Sequence, residues 1–479
     1  MVRGGAIRFE SEGFRVVRTA GRRPSKLHPY ESMTHVYVAD RMLLIGLSSG
    51  LLTIRSRDFA DPEAGPQEAR RLLLESLATR PDGDRRLREI AEVDRLGRRK
   101  SFSVVTWATV ALCLVGTWFQ LRDPMVEEMG SFIPDLFARG EYWRAVTAHF
   151  LHGLSYAPGV VTFFFGRLVG LPFHLAINVG GLIVLGSLVE RPLGSWRTAM
   201  VVALGGIGTM LGVIVAEHHD VIGASGLVSA FAGAILAIEL HYPASLPSYW
   251  RLPRRLFIGI VLVQFLVIDR LLLQYVAGGA HIGGFMGGYL ATWLLGRPSL
   301  ESLDPTRRLR ITTYATISLL VLGILGAMPL VRHDMGALER HALRLLDMPE
   351  TVRFYQHENT AAWLLATHDH ASPFGLELAV ALADRAVAST GRMHPGILDT
   401  LAEALFQSGN RLAAIFTIDE AIRLAPNETY FSEQRRRFTG ERPVDDRPPP
   451  PGSRSEGLVP QGDELERLPI DPDAPFLTI

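Results

Sequence analysis

The sequence predicts an all-α bundle that crosses a membrane several times, with a small α+β soluble domain at its N-terminal end and a helical repeat domain at its C-terminal end. Of its 479 residues, 48% are hydrophobic, and these residues are concentrated in the middle of the chain. Apolar stretches of spanning length recur there, and both flanking regions have the patterning of soluble domains. We count seven such stretches, near residues 101–121, 172–190, 198–216, 223–240, 256–273, 280–296 and 311–331.

Charge and cysteine content exclude several classes of protein. The 49 Lys and Arg residues balance 49 Asp and Glu residues, so the chain has no basic excess that would indicate nucleic-acid binding. Cys113 is the single cysteine, which excludes a disulfide framework and a cysteine-based zinc site. We expect the protein to use no cofactor and no metal. We expect the lipid bilayer to be one of its partners.

Residues 1–80 are predicted to form a small soluble domain, β-rich with a C-terminal helix. Residues 34–59 contain β-branched and aromatic runs separated by Asp, Ser and Gly, which is typical of strands and turns. Residues 66–79 have apolar side chains at helical spacing. Residues 81–100 are interpreted as a basic linker that anchors the first span at the cytoplasmic surface.

Loop charges predict the orientation of the spans. Arg side chains are concentrated in the loops that follow the second, fourth and sixth spans, and such residues favour the cytoplasmic side. They are Arg191, Arg197, Arg251, Arg254, Arg255, Arg297, Arg307, Arg308 and Arg310. We therefore expect a multi-pass protein of a bacterial inner or plasma membrane, with its N-terminus in the cytoplasm and its C-terminus outside.

This topology predicts one polar layer near the outer face. The second, fourth and sixth spans run inward, so their first residues lie at similar depth. Polar side chains open each of them: His174 and Asn178, then Ser225, then His281. Polar groups are expensive inside a bilayer, which marks this layer as a candidate site.

The chemistry of these side chains favours nucleophilic catalysis. His174 and Asn178 are four residues apart, so they share a helix face and can both donate hydrogen bonds to an oxyanion. Small residues after Ser225 and His281 allow close helix packing, and a serine must approach its base to about 3 Å. The alternative interpretations are polar contacts that hold helices together, or a proton path.

Several motifs resemble those of the rhomboid intramembrane serine proteases, over residues 101 to about 296. They are GASG at 223–226, AHIGGFMGG at 280–288, HLAIN at 174–178, YWRAVTAHFLH at 142–152 and LGSLVERPLGS at 185–195. The resemblance implies a six-helix core over residues 101–310, followed by a seventh transmembrane helix over 311–331. It implies Ser225 as nucleophile, His281 as base, and His174 with Asn178 as the oxyanion site. The structural motif positions are Trp143, Arg144, Gly223, Gly226, Gly284 and Gly288.

The resemblance implies an intramembrane serine endopeptidase that cleaves transmembrane helices of membrane proteins near their outer end. No aspartate is placed to orient His281, so we expect a Ser–His dyad. Two departures from the family pattern are an inserted apolar segment at 156–172, and Ser229 where an aromatic residue often stands.

Residues 334–432 are predicted to form a helical domain that resembles tetratricopeptide repeats. Residues from Trp363 align with those from Leu398 at an offset of 35 residues. We expect this domain to bind a protein partner and to be separable, so that deletion of residues 334–479 leaves cleavage of a generic substrate intact. The Pro-rich, acidic tail over 441–479 is predicted to be disordered.

Two other functions are compatible with the sequence. One is an inactive rhomboid-like protein that binds membrane clients through its core and helical repeats. The other is a transporter that uses the polar layer as a path, although transporter sites tend to lie at the bilayer midplane between inverted repeats. The presence of both Ser225 and His281 favours the protease.

Overall fold

The computed structural model describes residues 5–18, 26–39, 42–47, 50–98, 103–123, 125–153, 173–241, 254–271, 277–296 and 305–449. The chain is mostly helical, with a strand-containing region at its N-terminus. The inserted segment at 156–172 lies outside the described residues, and so do residues 450–479 of the tail predicted over 441–479.

The N-terminal region contains two antiparallel sheets of three strands each. The first comprises β1 (Gly5–Phe9), β2 (Gly13–Arg18) and β3 (Leu27–Pro29); the second comprises β4 (Met33–Ala39), β5 (Met42–Leu47) and β6 (Gly50–Arg55). In both sheets the strands are adjacent in chain order. Helix α1 (Gly65–Ala78) packs its apolar stripe against the sheets. The shared core includes Phe14, Val36, Ile45, Leu73 and Leu77.

The segment interpreted as a basic linker is a helix over most of its length. Helix α2 spans Gly83–Arg98. Ile90 is buried in the N-terminal core and Leu87 packs against it. The Arg86 guanidinium also donates a hydrogen bond to the carbonyl of Glu31. The first part of the predicted linker is therefore packed onto the N-terminal domain.

The first apolar helix, α3 (Val104–Arg122), is followed by a loop of short helices. These are α4 (Met125–Gly130), α5 (Pro134–Ala138) and α6 (Arg144–Thr147), followed by a 3-10 turn over Ala148–Phe150. This segment, here called the first loop, contains the Trp143–Arg144 pair that the sequence singled out.

Where the structure describes them, the predicted apolar stretches are largely helical. After α3, the helices are α7 (Phe173–Leu193), α8 (Ser195–Val215), α9 (Ser225–His241), α10 (Arg254–Val263), a π-helical segment (Gln264–Ile268), α11 (Asp269–Leu271), α12 (Gly278–Leu295) and α13 (Arg307–Val331). Among the described residues, four helices are long and apolar enough to cross a membrane: α3, α7, α8 and α13. The chain is therefore an integral membrane protein, and its count of seven spans stays a prediction.

Hydrogen bonds to Glu190, near the end of α7, connect this helix to the start of α3. The Glu190 carboxylate accepts hydrogen bonds from the amides of Val105 (3.0 Å) and Thr106 (2.9 Å), and from the Ser195 hydroxyl (2.7 Å). The first amides of a helix have no partner within the helix, and a negative charge there is favourable. The LVERPLGS part of the motif at 185–195 thus has a structural role in this bundle.

The C-terminal region is a stack of consecutive helices. They are α14 (Met335–Leu346), α15 (Tyr355–Thr367), α16 (Pro373–Ser389), α17 (Pro395–Gln407), α18 (Arg411–Leu424) and α19 (Thr429–Thr439). Side chains of Asp334, Ser372 and Asn410 cap three of them. The region is helical as predicted, and its assignment to tetratricopeptide repeats stays a prediction.

The C-terminal helices are packed onto the first loop. Met129, Ile133 and Leu136 of the loop belong to the same buried apolar cluster as Leu338 and Leu365 of the helical domain. The expectation of a separable domain does not fit this arrangement, because deletion of residues 334–479 would expose the apolar side chains of the loop. Sequence patterns did not indicate this contact, because the apolar side chains on each side are also expected from the packing of their own helices.

A buried carboxyl in the helical domain provides a prediction of pH-dependent stability. Asp399 accepts hydrogen bonds from the Tyr430 hydroxyl (2.9 Å) and from Gln434 (3.2 Å). Burial raises the pKa of Asp399 to about 7, although these hydrogen bonds oppose the shift. Because the folded-state pKa is raised, the carboxyl favours folding below about pH 4, and this contribution is lost as pH rises towards 7.

We expect Asp399→Asn to raise the Tm of the protein, with a gain that grows between pH 4 and pH 7. The amide keeps the buried site neutral and can still accept from Tyr430. Differential scanning fluorimetry at several pH values measures the gain. Asp384→Asn is the control, since the Asp384 side chain is exposed. A gain that is equal at pH 4 and pH 7 would contradict the assigned titration.

Candidate active site

The turn before α9 packs directly against the start of α7. Gly223 has a φ of +121°, a conformation that L side chains rarely adopt. A Cβ atom at this position would lie 2.7 Å from Cε1 and 2.8 Å from Nε2 of His174, and 3.6 Å from Nδ2 of Asn178. Both backbone conformation and space therefore require glycine here. The GASG turn and the HLAIN motif form one site.

The first loop holds this turn in place. The Gly223 amide donates a hydrogen bond of 2.8 Å to the Ala148 carbonyl. Val221 and Phe132 exchange two backbone hydrogen bonds, of 3.1 and 2.9 Å, in an isolated antiparallel bridge. The position of Ser225 thus depends on the loop as well as on the helix that it begins.

Glycines bring the backbones of α9 and α12 into contact. A Cβ at Gly284 would lie 2.2 Å from the Gly226 carbonyl oxygen, and a Cβ at Gly288 would lie 2.0 Å from that of Ala230. Ser225 directly precedes Gly226, and His281 lies one turn before Gly284. The two side chains are therefore at the same end of a helix pair that has the closest packing that small residues allow.

The Ser225 hydroxyl makes no hydrogen bond to His281 within the described part of the chain. Ser225 is half-buried, and His281 is buried with 8% of its surface exposed. In substrate-free enzymes the contact between nucleophile and base is often long and tightens when substrate binds. Ser225 and His281, both among the described residues, thus lie at the same end of the α9–α12 helix pair, and no hydrogen bond joins them.

Asn178 has the features of a hydrogen-bond donor kept for a ligand. It is buried, and its Nδ2 atom has no hydrogen-bond partner among the described residues. A buried polar atom without a partner is uncommon in folded proteins and calls for an explanation. His174 begins the same helix face as Asn178, and its ring centroid is 5.3 Å from that of His152.

An aspartate contacts His281, which corrects the expectation that none would be placed to orient it. Nδ1 of His281 lies 3.1 Å from both Oδ1 and Oδ2 of Asp269. Asp269 is buried and opens α11, after the π-helical segment. An ionisable residue within an apolar stretch is by default a candidate for function, and that signal in residues 256–273 was available in the sequence.

Trp143 and Arg144 stabilise the first loop. Arg144 is fully buried; it donates to Glu141 Oε2 (2.6 Å) and to the carbonyls of Glu128 and Ser131, both at 2.8 Å. The Trp143 indole donates to the Met129 carbonyl at 3.2 Å. Both residues therefore act on the loop that anchors Gly223, and their link to the site is indirect.

No group of His, Cys, Asp or Glu side chains in the described ranges has an arrangement that could hold a metal ion.

The site residues predicted from the sequence, apart from Trp143 and Arg144 of the first loop, lie on α7, α9 and α12 or on the turn before α9. The arrangement offers a hydroxyl, an imidazole and hydrogen-bond donors in one place, which is the set of groups that acyl transfer requires.

The glycine contact between α9 and α12 gives a prediction for activity. We expect Gly284→Ala to reduce any Ser225-dependent activity by at least about tenfold, because the added methyl must push the Ser225 and His281 helices apart. Gly259→Ala is the matched control, since a Cβ at Gly259 would meet no atom within 4 Å. The rate of reaction of Ser225 with a fluorophosphonate measures the effect. Equal rates for both variants would show that the contact does not position the pair.

Comparison with known proteins finds one matching domain family and several relatives. Residues 168–298 match the family described as the Rhomboid domain. The chain is 28% identical over 169 residues to the "Rhomboid protease GluP" of Bacillus subtilis (strain 168), covering 34% of this chain and 28% of that protein. It is 25% identical over 189 residues to "RHOMBOID-like protein 5" of Arabidopsis thaliana, covering 38% and 53%.

A further relative is named as inactive. It is the "Inactive RHOMBOID-like protein 8" of Arabidopsis thaliana, 27% identical over 173 residues, covering 35% of this chain and 42% of that protein. The chain thus spans about half or less of the length of these relatives. The matches indicate a rhomboid domain. They include one relative named as a protease and one named as inactive. Over residues 168–298 the chain is therefore similar to the rhomboid proteins.

Proposed function

We propose that this protein is an intramembrane serine endopeptidase that cleaves the transmembrane helices of other membrane proteins near their outer end. The observation that carries the proposal is the packing of three helix starts around one site. The GASG turn that leads into Ser225 contacts His174, and the Ser225 and His281 helices touch through Gly226 and Gly284. A serine, an imidazole and two side-chain donors are thereby held at one end of the bundle.

The proposed reaction is acyl transfer through a covalent intermediate. His281 takes the proton of the Ser225 hydroxyl, and the oxygen attacks a peptide carbonyl of the substrate. His174, Asn178 and the Ser225 amide donate to the oxyanion of the tetrahedral intermediate. His281 then protonates the leaving amine. Water then attacks the carbonyl of the acyl-enzyme while His281 takes its proton. His281 returns that proton to the Ser225 oxygen as the second product leaves.

The site constrains the substrate. A peptide bond in an intact helix has its carbonyl engaged in a hydrogen bond to the residue four positions on, so it must unwind before attack. Segments with small or helix-weakening residues near the membrane surface unwind at the lowest cost. With the loop charges placing the starts of α7, α9 and α12 outward, we propose cleavage near the outer end of single spans, with the N-terminal domain in the cytoplasm and the helical repeats outside.

The alternative is a rhomboid-like protein that binds membrane clients without cleaving them. It is supported by the relative named as inactive, and by the lack of a hydrogen bond between Ser225 and His281 in the described part of the chain. The protease is favoured because a serine and a histidine lie at the starts of the two helices that the glycine contacts join. Asn178 also retains a buried donor, which a purely structural site would have no reason to leave unused.

Cleavage by the purified full-length protein in liposomes tests the proposal. The substrate is a single-span protein with a glycine-containing outer membrane segment, and mass spectrometry identifies the bond that is cut. We expect one main cut within the outer third of the span. Co-purification of the intact substrate with no cleavage over many hours would favour the client-binding alternative. A cut in an exposed soluble loop would contradict both.

A further inference from the structure

We propose that Asp269 is the positioning residue of the catalytic histidine, so that the site works as a Ser225–His281–Asp269 triad. This inference rests on the proposed function and deepens it. The sequence indicated a dyad, and the aspartate comes from a segment outside the serine, histidine and oxyanion motifs, 12 residues before His281.

The contact between Asp269 and His281 is closely defined. Nδ1 of His281 lies 3.1 Å from each carboxylate oxygen, and side-chain exposure is 10% for His281 and 3% for Asp269. Gln264 donates a hydrogen bond of 2.7 Å from Nε2 to Oδ1 of the same carboxylate. Asp269 therefore has two donors, and its orientation is fixed from both sides.

The fold of the α10–α11 segment turns Asp269 inward. Apolar neighbours of Asp269, among them Leu266, Val267 and Leu271, are exposed, as expected for side chains that face lipid. Phe265 packs edge-on against Phe285 of α12, with ring centroids 5.5 Å apart. The intervening π-helical segment changes the number of residues per turn, and such segments are frequent at functional sites.

The chemical consequence follows from the acceptor character of a carboxylate. A carboxylate has no proton to donate, so the proton of the neutral His281 ring is placed on Nδ1. Nε2 is then left with a free lone pair, which is the form that can take the Ser225 proton. When Nε2 becomes protonated during attack, the carboxylate stabilises the imidazolium. The proton moves from Ser225 Oγ to His281 Nε2 and later to the leaving amine, and Asp269 stays unprotonated throughout.

A purely structural role is the competing explanation, since the contact also joins α11 to α12. The two roles differ in what they require of residue 269. Asparagine matches aspartate in size and can hold the helices together, but it can present its amide N–H to Nδ1 and so favour the wrong tautomer. Glutamate is longer but keeps the acceptor charge. A positioning role ranks glutamate above asparagine, and a structural role ranks asparagine first.

The test compares Asp269→Asn, Asp269→Glu and Asp269→Ala in full-length protein in liposomes, with cleavage of the single-span substrate and thermal stability measured together. We expect Asp269→Asn to lower kcat by about 10²- to 10⁴-fold with little change in KM, while its Tm stays near that of the wild type. Asp269→Glu should recover part of kcat. Glu190→Gln, which weakens a helix contact elsewhere, is the structural reference and should lower Tm without this selective loss.

A second measurement separates action through His281 from general damage. With His281 in place, Asp269→Asn should slow fluorophosphonate labelling of Ser225 and Asp269→Glu should restore part of the rate, whereas Glu190→Gln should leave the rate unchanged. The inference is overturned if Asp269→Asn keeps wild-type kcat, or if its loss is matched by a fall in Tm and not relieved by glutamate. These outcomes leave the proposed protease intact. By contrast, cleavage that survives Ser225→Ala would overturn both the protease and the triad.

Discussion

Replacing Ser225 with alanine is expected to abolish cleavage of the single-span substrate, and replacing His281 with alanine is expected to do the same. Each substitution removes one of the two groups that form and break the covalent bond. In serine proteases such losses amount to about 10⁶-fold in kcat, so no product should be detected by gel over a day. The double variant should be no worse than either single variant, because the two residues act as one unit.

The control for this prediction is Ser229→Ala. Ser229 lies on the same helix one turn after Ser225 and is also partly exposed, so it reports the effect of losing a hydroxyl from α9 without touching the proposed nucleophile. We expect Ser229→Ala to keep cleavage within about threefold of the wild type. Cleavage retained in Ser225→Ala and lost in Ser229→Ala would show that the nucleophile has been assigned to the wrong serine.

The second large effect concerns the buried ion cluster where the helical domain meets the first loop. Glu141 is fully buried, and its carboxylate is 2.6 Å from Arg144 Nε, 2.7 Å from His341 Nδ1 and 3.3 Å from Arg344 Nη1. Burial alone would raise the pKa of Glu141, but the charges and hydrogen bonds of His341 and Arg144 outweigh it and hold that pKa well below its usual range. Glu141 thus joins the loop to α14 as an ionised group.

We expect Glu141→Ala to destabilise the protein by about 3–5 kcal/mol, because it leaves the buried Arg144 charge without its acidic partner. Thermal unfolding in detergent and release of the C-terminal helices by limited proteolysis both report the change. Because the folded-state pKa is depressed, the stabilisation is present above about pH 4.5 and is lost as pH falls through the folded-state value. The difference in Tm between wild type and variant should therefore shrink in acid.

Arg139→Ala is the matched control for the cluster. Arg139 also joins the first loop to the helical domain, through Asp347 at 3.0 Å, but the Asp347 side chain is 77% exposed. Exposed ion pairs contribute about 0–1 kcal/mol. If Glu141→Ala destabilised the protein no more than Arg139→Ala does, the cluster would not be what holds the domain to the loop.

The membrane helices were predictable because lipid imposes a local rule on each of them. A spanning helix must be apolar along its length, so α3, α7, α8 and α13 are evident from single stretches of sequence. The contacts of the GASG turn with His174, and of α9 with α12, were predictable for a related reason. Loop charges and chain order predict that alternate helix starts lie at one depth, and glycines mark where helices approach.

Features that depend on distant contacts were not predictable in this way. Glu141 and His341 are 200 positions apart, and neither has a local pattern that identifies the other as its partner. Asp269 is a different case: its charge within an apolar stretch was visible in the sequence, but its inward direction depends on the π-helical segment before it. The helix over 83–98 was interpreted as a linker because its many arginines obscured the apolar side chains of Leu87 and Ile90, which reach the N-terminal core.

Covalent labelling of the full-length protein in liposomes by a fluorophosphonate tests the central claim most directly. The reagent reacts with a serine hydroxyl only when a neighbouring base activates it. The account predicts a single main adduct, mapped by mass spectrometry to Ser225, and its loss in the His281→Ala variant. An adduct that forms equally well in His281→Ala, or that maps to a different serine, would contradict the assignment of Ser225 and His281 as nucleophile and base.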